Sequence, residues 1–378
     1  QYQVAVLAPT EILASQHFVT FKQLLEPLGY QVLLLTGSDS AKAKKQKKLV
    51  IEGGLAHVVV GTHAILREDV SFEKLGLTII DEQHRFGVLQ RLQLMRKGVT
   101  PDVLVMTATP IPRTLALTMY GDLEVSVIDE MPAGRKPILT RMTPESHIER
   151  VWSFVRGEID AGHQAYVVYP MVEESETASM KAAEQMAEHL SRSVFPDLEI
   201  GLLHGKMKAA DKEQAMERFK QGQTHILVCT TVIEVGVDVP NVTVMVIEHA
   251  EQFGLSQLHQ LRGRVGRGPA QSYCILVPSK LSPDAEMRLR TMVETNDGFR
   301  IAEMDLQLRG PGEMFGTRQS GLPAFRFADL VRDYEILEHA RGEAAAFIEK
   351  HEGKAELKEA AEYIREHWQR RYGLVLVA

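Results

Sequence analysis

A chain of 378 residues, 44% hydrophobic and 25% charged, has the composition of a folded globular protein rather than a disordered one. Its length suits two core-bearing domains with a further appendage better than one compact domain, and the net charge of −7 supplies no whole-molecule attraction for nucleic acid, so affinity of that kind has to come from local patches and a shaped groove. Two cysteines make no disulfide framework, no apolar stretch approaches the ~20 residues of a membrane span, and QYQVAVLAPTE opens in mid-strand instead of as a signal peptide, so a cytoplasmic protein is expected.

The first strand-length run, QVAVLAP, is followed by the helical pattern TEILASQHFVTFKQLLEPL, the run YQVLLLTG, a lysine-rich helix and the run AHVVVGT. LTIIDE, DVLVMTATP and LEVSVID continue the series to about residue 130. Such alternation predicts a parallel sheet covered by helices. MPAGRKPILTRMTPES, rich in proline, reads as a linker over residues 131–146. A second series follows: QAYVVYP, LEIGLLHG, THILVCTT, VTVMVIEHA and SYCILVP. Cys229 and Cys274 sit inside its apolar runs, where a thiol behaves as a small hydrophobe. From about residue 283 the rhythm stops, and PDAEMRLRTMVETNDGFRIAEMDLQLR predicts two helices joined at Asn296-Asp297-Gly298. A glycine-rich loop over 309–321 and a charged helical end complete the chain, with no fixed-period repeat.

Chemistry concentrates at strand ends. Asp81-Glu82-Gln83-His84 closes the run LGLTII, and an acidic pair there suits Mg²⁺ coordination and activation of a water, although an acidic pair after a strand, taken alone, is more often a solvated loop or a helix N-cap. The next strand ends in Thr107-Ala108-Thr109-Pro110, a hydroxyl-rich turn at the same expected edge, where open α/β sheets collect ligands. In the second series Thr231, Gly236 and Asp238 follow a strand: the hydroxyl suits a nucleic-acid backbone, the glycine a close approach, the aspartate a ribose hydroxyl or an arginine. Gln260, Arg262, Arg264 and Arg267 lie on GLSQLHQLRGRVGRG, where Arg264 and Arg267 share a helical face or its frayed end and can fork onto phosphate oxygens. Lys42, Lys44, Lys45, Lys47 and Lys48 read first as a solvated helix face. His63, His84 and His204 are too scattered for a zinc set.

Taken in order, these segments resemble the superfamily-2 helicases, and among them the RecG branch. APTEILASQH looks like motif Ia, VVGTHAIL like Ib, DEQH like II, TATPIPRT like III, LLHGKM like IVa, CTTVIEVGVDVPN like V and QLHQLRGRVGRG like VI. DGFRIAEMDLQLRGPGEMFGTRQSG resembles the translocation element that RecG shares with the transcription-repair coupling factor. The resemblance spans at least residues 4–340 and implies an α/β fold of two RecA-like parallel-sheet lobes, over 1–143 and 144–282, then a helical hairpin and translocation loop (283–322) and C-terminal helices (323–378). It implies ATP and Mg²⁺ as cofactors: Asp81 holding Mg²⁺ through water, Glu82 polarising the attacking water, Arg264 and Arg267 meeting the γ-phosphate, and Gln83, His84, Gly236, Asp238 and Gln260 binding or sensing nucleotide. Thr10, Thr62, Thr107, Thr109 and Thr231 become candidates for DNA contact or coupling, with Arg309 and Gln319 in the translocation element. The implied activity is ATP-dependent translocation on branched duplex DNA, at stalled forks and Holliday junctions, by a bacterial, nucleoid-associated protein.

The departures are as specific. No GxxxxGK[ST] string is present, and the glycine-lysine segment at Gly37 lacks the second glycine and the Lys-Ser/Thr pair. The chain reads as starting just after that loop, without the N-terminal wedge module of RecG proteins. By itself it is expected to hydrolyse ATP poorly and to self-associate through an uncovered sheet, whereas the full-length protein is expected to be a monomer. The motor of a transcription-repair coupling factor and a non-catalytic nucleic-acid-binding scaffold are the alternatives.

Overall fold

The computed structural model describes residues 2–82, 94, 97–98, 101–107, 126–128, 130–132, 134–170, 176–230, 239–314, 333–364 and 366. Its first sheet is built from β1 (Gln3–Leu7), β2 (Val32–Leu35), β3 (Val58–Gly61), β4 (Leu75–Ile80) and β5 (Asp102–Val105), in the order β2-β3-β1-β4-β5 with parallel pairing throughout. Ala5 and Leu7 pack with Leu35, Val59 and Ile65 on one face, while Val6 packs with Ala14, Val32 and Val60 on the other. Burial on both faces is why these strands read as unbroken apolar runs instead of alternating ones. Among the described residues, two helices link β1 to β2 and β2 to β3. α1 (Glu11–Leu25) starts where the Thr10 hydroxyl accepts from Leu13 N at 3.3 Å, and α2 (Ala41–Glu52) where Ser40 accepts from Ala43 N at 3.2 Å.

The second sheet comprises β6 (Leu139–Met142), β7 (Gln164–Val168), β8 (Ile200–Leu203), β9 (Ile226–Cys229), β10 (Val242–Glu248) and β11 (Tyr273–Val277), in the order β6-β11-β10-β7-β9-β8. The helices threaded between its strands are α3 (Ile148–Asp160), α4 (Glu176–His189), α5 (Ala209–Lys220) and α6 (Leu255–Arg262). Read from the β8 end, this sheet repeats the first: β8, β9, β7, β10 and β11 stand where β2, β3, β1, β4 and β5 stand.

The repetition extends to side chains. Gln3, buried at the start of β1, donates to the carbonyls of Ile51 and Ala56 at 3.0 and 2.8 Å; Gln164, buried at the start of β7, donates to those of Phe219 and Thr224, both at 2.7 Å. Ile51 and Phe219 occupy the last turns of α2 and α5, so each glutamine adds a side-chain donor to a helix-end carbonyl that Gly54 N or Gly222 N also reaches, both at 3.1 Å. His57 Nδ1 accepts from Gln31 N at 2.9 Å, and His225 Nδ1 accepts from Glu199 N at 3.0 Å. Val32 and Ile200, Ala41 and Ala209, and His57 and His225 are all separated by the same number of residues. No fixed period is visible in the sequence because side chains other than these few diverge while the backbone plan is kept.

Three segments depart from expectation. β6 arises inside the proline-rich stretch read as a linker: Leu139 N donates to Ser272 O at 3.0 Å, and Leu139–Met142 pairs in parallel with β11. Pro137 and Pro144 flank it without interrupting it, and Leu-Thr-Arg-Met is a competent strand once an edge is offered. Ser126, Val127 and Ile128 of LEVSVID carry no strand, and Ile128 is 91% exposed; the rest of that run, residues 123–125 and 129, lies outside the described residues. Beyond the second sheet, α7 (Pro283–Glu294) and α8 (Gly298–Met314) form the expected pair, with Asp297 Oδ1 accepting from Phe299 N at 2.9 Å in the turn between them. The helical backbone of α8 runs on through Gly310, Pro311 and Gly312, where a loop is predicted. Ile301, Ala302 and Leu306 are buried on its earlier turns, and that burial outweighs the poor helix propensity of the glycines and proline. α9 (Tyr334–Lys350) and α10 (Ala355–Ile364) follow. Among the described residues no helix is long and apolar enough to cross a membrane.

Candidate functional site

At the carboxyl end of β4 the chain leaves the sheet through Asp81. Its amide still donates to Leu7 O of β1 at 3.0 Å, one step past the strand, so the backbone carrying the carboxylate is fixed by the sheet itself. Asp81 Oδ1 accepts from the Glu82 amide at 2.9 Å, and Oδ2 lies 2.8 Å from His17 Nε2. Glu82 has φ 52°, the left-handed region that non-glycine residues enter at a cost of about 1–3 kcal/mol and that clusters at functional sites.

His17 is the participant that sequence reasoning missed. It belongs to the α1 stripe Leu13, Ala14, His17, Phe18, Phe21, Leu25, whose other members pack on the first sheet, and its ring lies 6.2 Å from that of Phe21. The available signal was a single polar ring in an otherwise apolar helical stripe.

Other first-sheet candidates differ in exposure. Thr10 uses its hydroxyl to cap α1, Thr62 is buried after β3, and Thr107 is exposed after β5. Gly61, just before Thr62, has no room for a side chain, since a Cβ there would stand 2.1 Å from Leu35 O. In the second sheet, α6 ends at Arg262, so Arg264 and Arg267 leave its frayed end instead of sharing a helical face. The two arginines are not equivalent. Arg264 is 8% exposed, whereas Arg267 is exposed and its Nε donates to Gly263 O at 3.4 Å. A Cβ on Gly268 would meet Pro240 O at 2.5 Å, so the glycine lets the arginine loop lie directly on the segment that follows Asp238 in sequence. Gln260 is half-buried on α6. At the other end of that helix Ser256 Oγ donates to Asp305 Oδ2 of α8 at 2.8 Å, which ties the hairpin to the helix leading into the arginines.

β10 ends in an acid of another kind. Glu248 is 6% exposed, and burial, with Glu145 and Glu251 adding like charge, pushes its carboxyl up to about 7. Of the lysine run, Lys44 reaches Gly37 O at 2.5 Å, Lys47 pairs with Asp39 at 2.6 Å and Lys48 pairs with Asp69, so part of that face is engaged locally. Gln83, His84, Thr109, Thr231, Gly236, Asp238 and Gln319 lie outside the described residues, and of Arg309 only the helical backbone is described.

Comparison with known proteins bears on the whole chain. The model of DEAD/DEAH box helicases matches residues 1–118, that of the helicase conserved C-terminal domain residues 146–269, and that of ATP-dependent DNA helicase RecG, domain 3, C-terminal, residues 295–371. The ATP-dependent DNA helicase RecG of Synechocystis is 55% identical over 92% of this chain and 42% of its own length, and that of Escherichia coli O157:H7 is 51% identical over 89% and 49%. The chain thus spans about half the length of the curated relatives it matches. Among solved structures, RecG bound to a three-way DNA junction has a TM-score of 0.70 at 48% identity, covering 89% of this chain and 44% of that one. Mss116p, with a TM-score of 0.58 at 18% identity over 77% of this chain and 62% of its own, shares the fold alone. Three models matched in order, and identity above 50% across nine-tenths of the residues, establish that the chain belongs to the RecG family of helicases.

Proposed function

We propose that the gene product carrying this chain is an ATP-dependent double-stranded DNA translocase acting on branched DNA such as stalled forks and Holliday junctions, in the cytoplasm. The observation that carries this is the identity of 50% or more to RecG relatives, running through both helicase segments and into the RecG-specific third one. The junction-bound relative supports branched DNA as the partner. The match at 295–371 favours this over the motor of a transcription-repair coupling factor.

The proposed division keeps lobes at 1–143 and 144–282, a hairpin and loop at 283–322 and C-terminal helices at 323–378, with β6 the strand that the second sheet draws from before the boundary. Asp81 suits a hard cation held through water: both its oxygens accept one hydrogen bond and keep lone pairs for ordered solvent. Magnesium, when bound, offsets charge on the nucleotide phosphates. Glu82 is assigned to orient and polarise the attacking water, and the exposed Arg267 and the buried Arg264 to meet the γ-phosphate. Gln83, His84, Gly236, Asp238 and Gln260 are assigned to nucleotide. Thr62, Thr107, Thr109, Thr231, Arg309 and Gln319 are assigned to DNA or coupling, and Thr10 acts through the start of α1 that it caps.

The test is Glu82→Gln in the full-length gene product. DNA-stimulated ATP turnover is expected to fall at least ~100-fold, the usual scale of a lost general base, while nucleotide still binds. Unimpaired hydrolysis would remove Glu82 from this role.

A further inference from the structure

We infer that His17 is a positioning residue for the nucleotide-side carboxylate, holding Asp81 in the orientation that receives magnesium; the inference rests on the role proposed for Asp81. Three observations meet here. The His17 Nε2 to Asp81 Oδ2 distance is 2.8 Å, in the range of a charge-assisted hydrogen bond, and an ionised carboxylate only accepts, so the ring nitrogen is the donor. The other carboxylate oxygen is held by the Glu82 amide at 2.9 Å, and the residue's own amide by Leu7 O at 3.0 Å. One donor on each oxygen and a backbone tied to β1 restrain the carboxylate, and each oxygen keeps acceptor capacity beyond the bond it makes.

Both groups are partly buried, with side-chain exposures of 26% for His17 and 18% for Asp81, so the bond is shielded from competing water more than a surface pair is. His17 replaces an apolar residue in the stripe by which α1 packs on the first sheet, and it sits beside Phe21. A hydrophobe in that place would pack at least as well. What a histidine adds is a donor, and the acceptor it meets is Asp81.

Packing and positioning separate cleanly by substitution. His17→Phe keeps a ring beside Phe21 and removes the donor; His17→Gln removes the ring and keeps an amide donor of similar reach. In the full-length gene product the readouts are the half-saturating magnesium concentration for binding a fluorescent ADP analogue without DNA, the same midpoint for DNA-stimulated ATP turnover, and the melting temperature without nucleotide. His17→Phe is expected to raise both magnesium midpoints about tenfold with melting unchanged, and His17→Gln to stay within about threefold of the parent. A parental midpoint in His17→Phe, or a larger shift in His17→Gln than in His17→Phe, overturns the inference. Asp81→Asn is the control: if it leaves the midpoint unmoved, the assignment of Asp81 itself fails, whereas a shift in Asp81→Asn with none in His17→Phe sinks only the role of His17.

Discussion

The strands β4 and β10 hold equivalent places in their sheets, beside β1 and β7, and each leads into an acid followed by a residue at positive φ: Asp81, just past β4, before Glu82 at 52°, and Glu248, the last residue of β10, before His249 at 48°. Among the described residues these are the only two non-glycine positions with that backbone. Their surroundings are opposite. Asp81 has a donor on each oxygen, whereas Glu248 is buried with Glu145 and Glu251 as its charged company and has its carboxyl raised to about 7. Duplication of a backbone plan therefore repeats the strand-end turn without repeating the chemistry, which is decided by the side chains that each helix and loop bring to it.

The largest consequence for stability comes from Glu248. Its folded value of about 7 lies above the ordinary 4.5, so the folded state binds the extra proton between those limits and stability falls as pH rises through that window. Below the window the penalty is absent, and above it the penalty is complete, up to about 3 kcal/mol at 1.36 kcal/mol per pKa unit. Glu248→Gln is expected to stabilise the protein at pH 8 by a sizeable part of that and to change nothing at pH 4, as chemical denaturation at the two values would show. Equal effects at both would mean that Glu248 is not held protonated.

A smaller effect tests whether the shared plan is energetically real. Gln3→Ala and Gln164→Ala each remove two buried hydrogen bonds to carbonyls, and each is expected to cost about 2–3 kcal/mol. Similar losses in the two variants would sharpen the comparison, and a loss in only one would break it. Smaller still, His249→Gly is expected to gain about 1 kcal/mol by relieving the left-handed backbone. No gain would show that His249 is held there by contacts worth more than the strain.

Much of the fold was legible because strands buried on both faces are continuous apolar runs that alternate with helical patterns. Features set by distant partners were not. β6 needed the edge offered by β11, and the helical run through Pro311 needed the buried turns before it. At the site, Asp81 and Glu82 stood out as an acidic pair after a strand, and the arginines as a cluster. The burial that separates Arg264 from Arg267 has no local signature, since both are arginines of the same short glycine-rich run. His17 and Asp305 were passed over because each looks like an ordinary helix residue until its partner, Asp81 or Ser256, is brought to it by the fold.

The most direct test places the two acids side by side: DNA-stimulated ATP turnover of Asp81→Asn and Glu248→Gln in the full-length gene product. Turnover is expected to fall at least ~100-fold in the first and to stay within about twofold of the parent in the second. Equal losses in both, or full turnover in Asp81→Asn, would contradict the assignment of β4 as the strand whose end does phosphate chemistry.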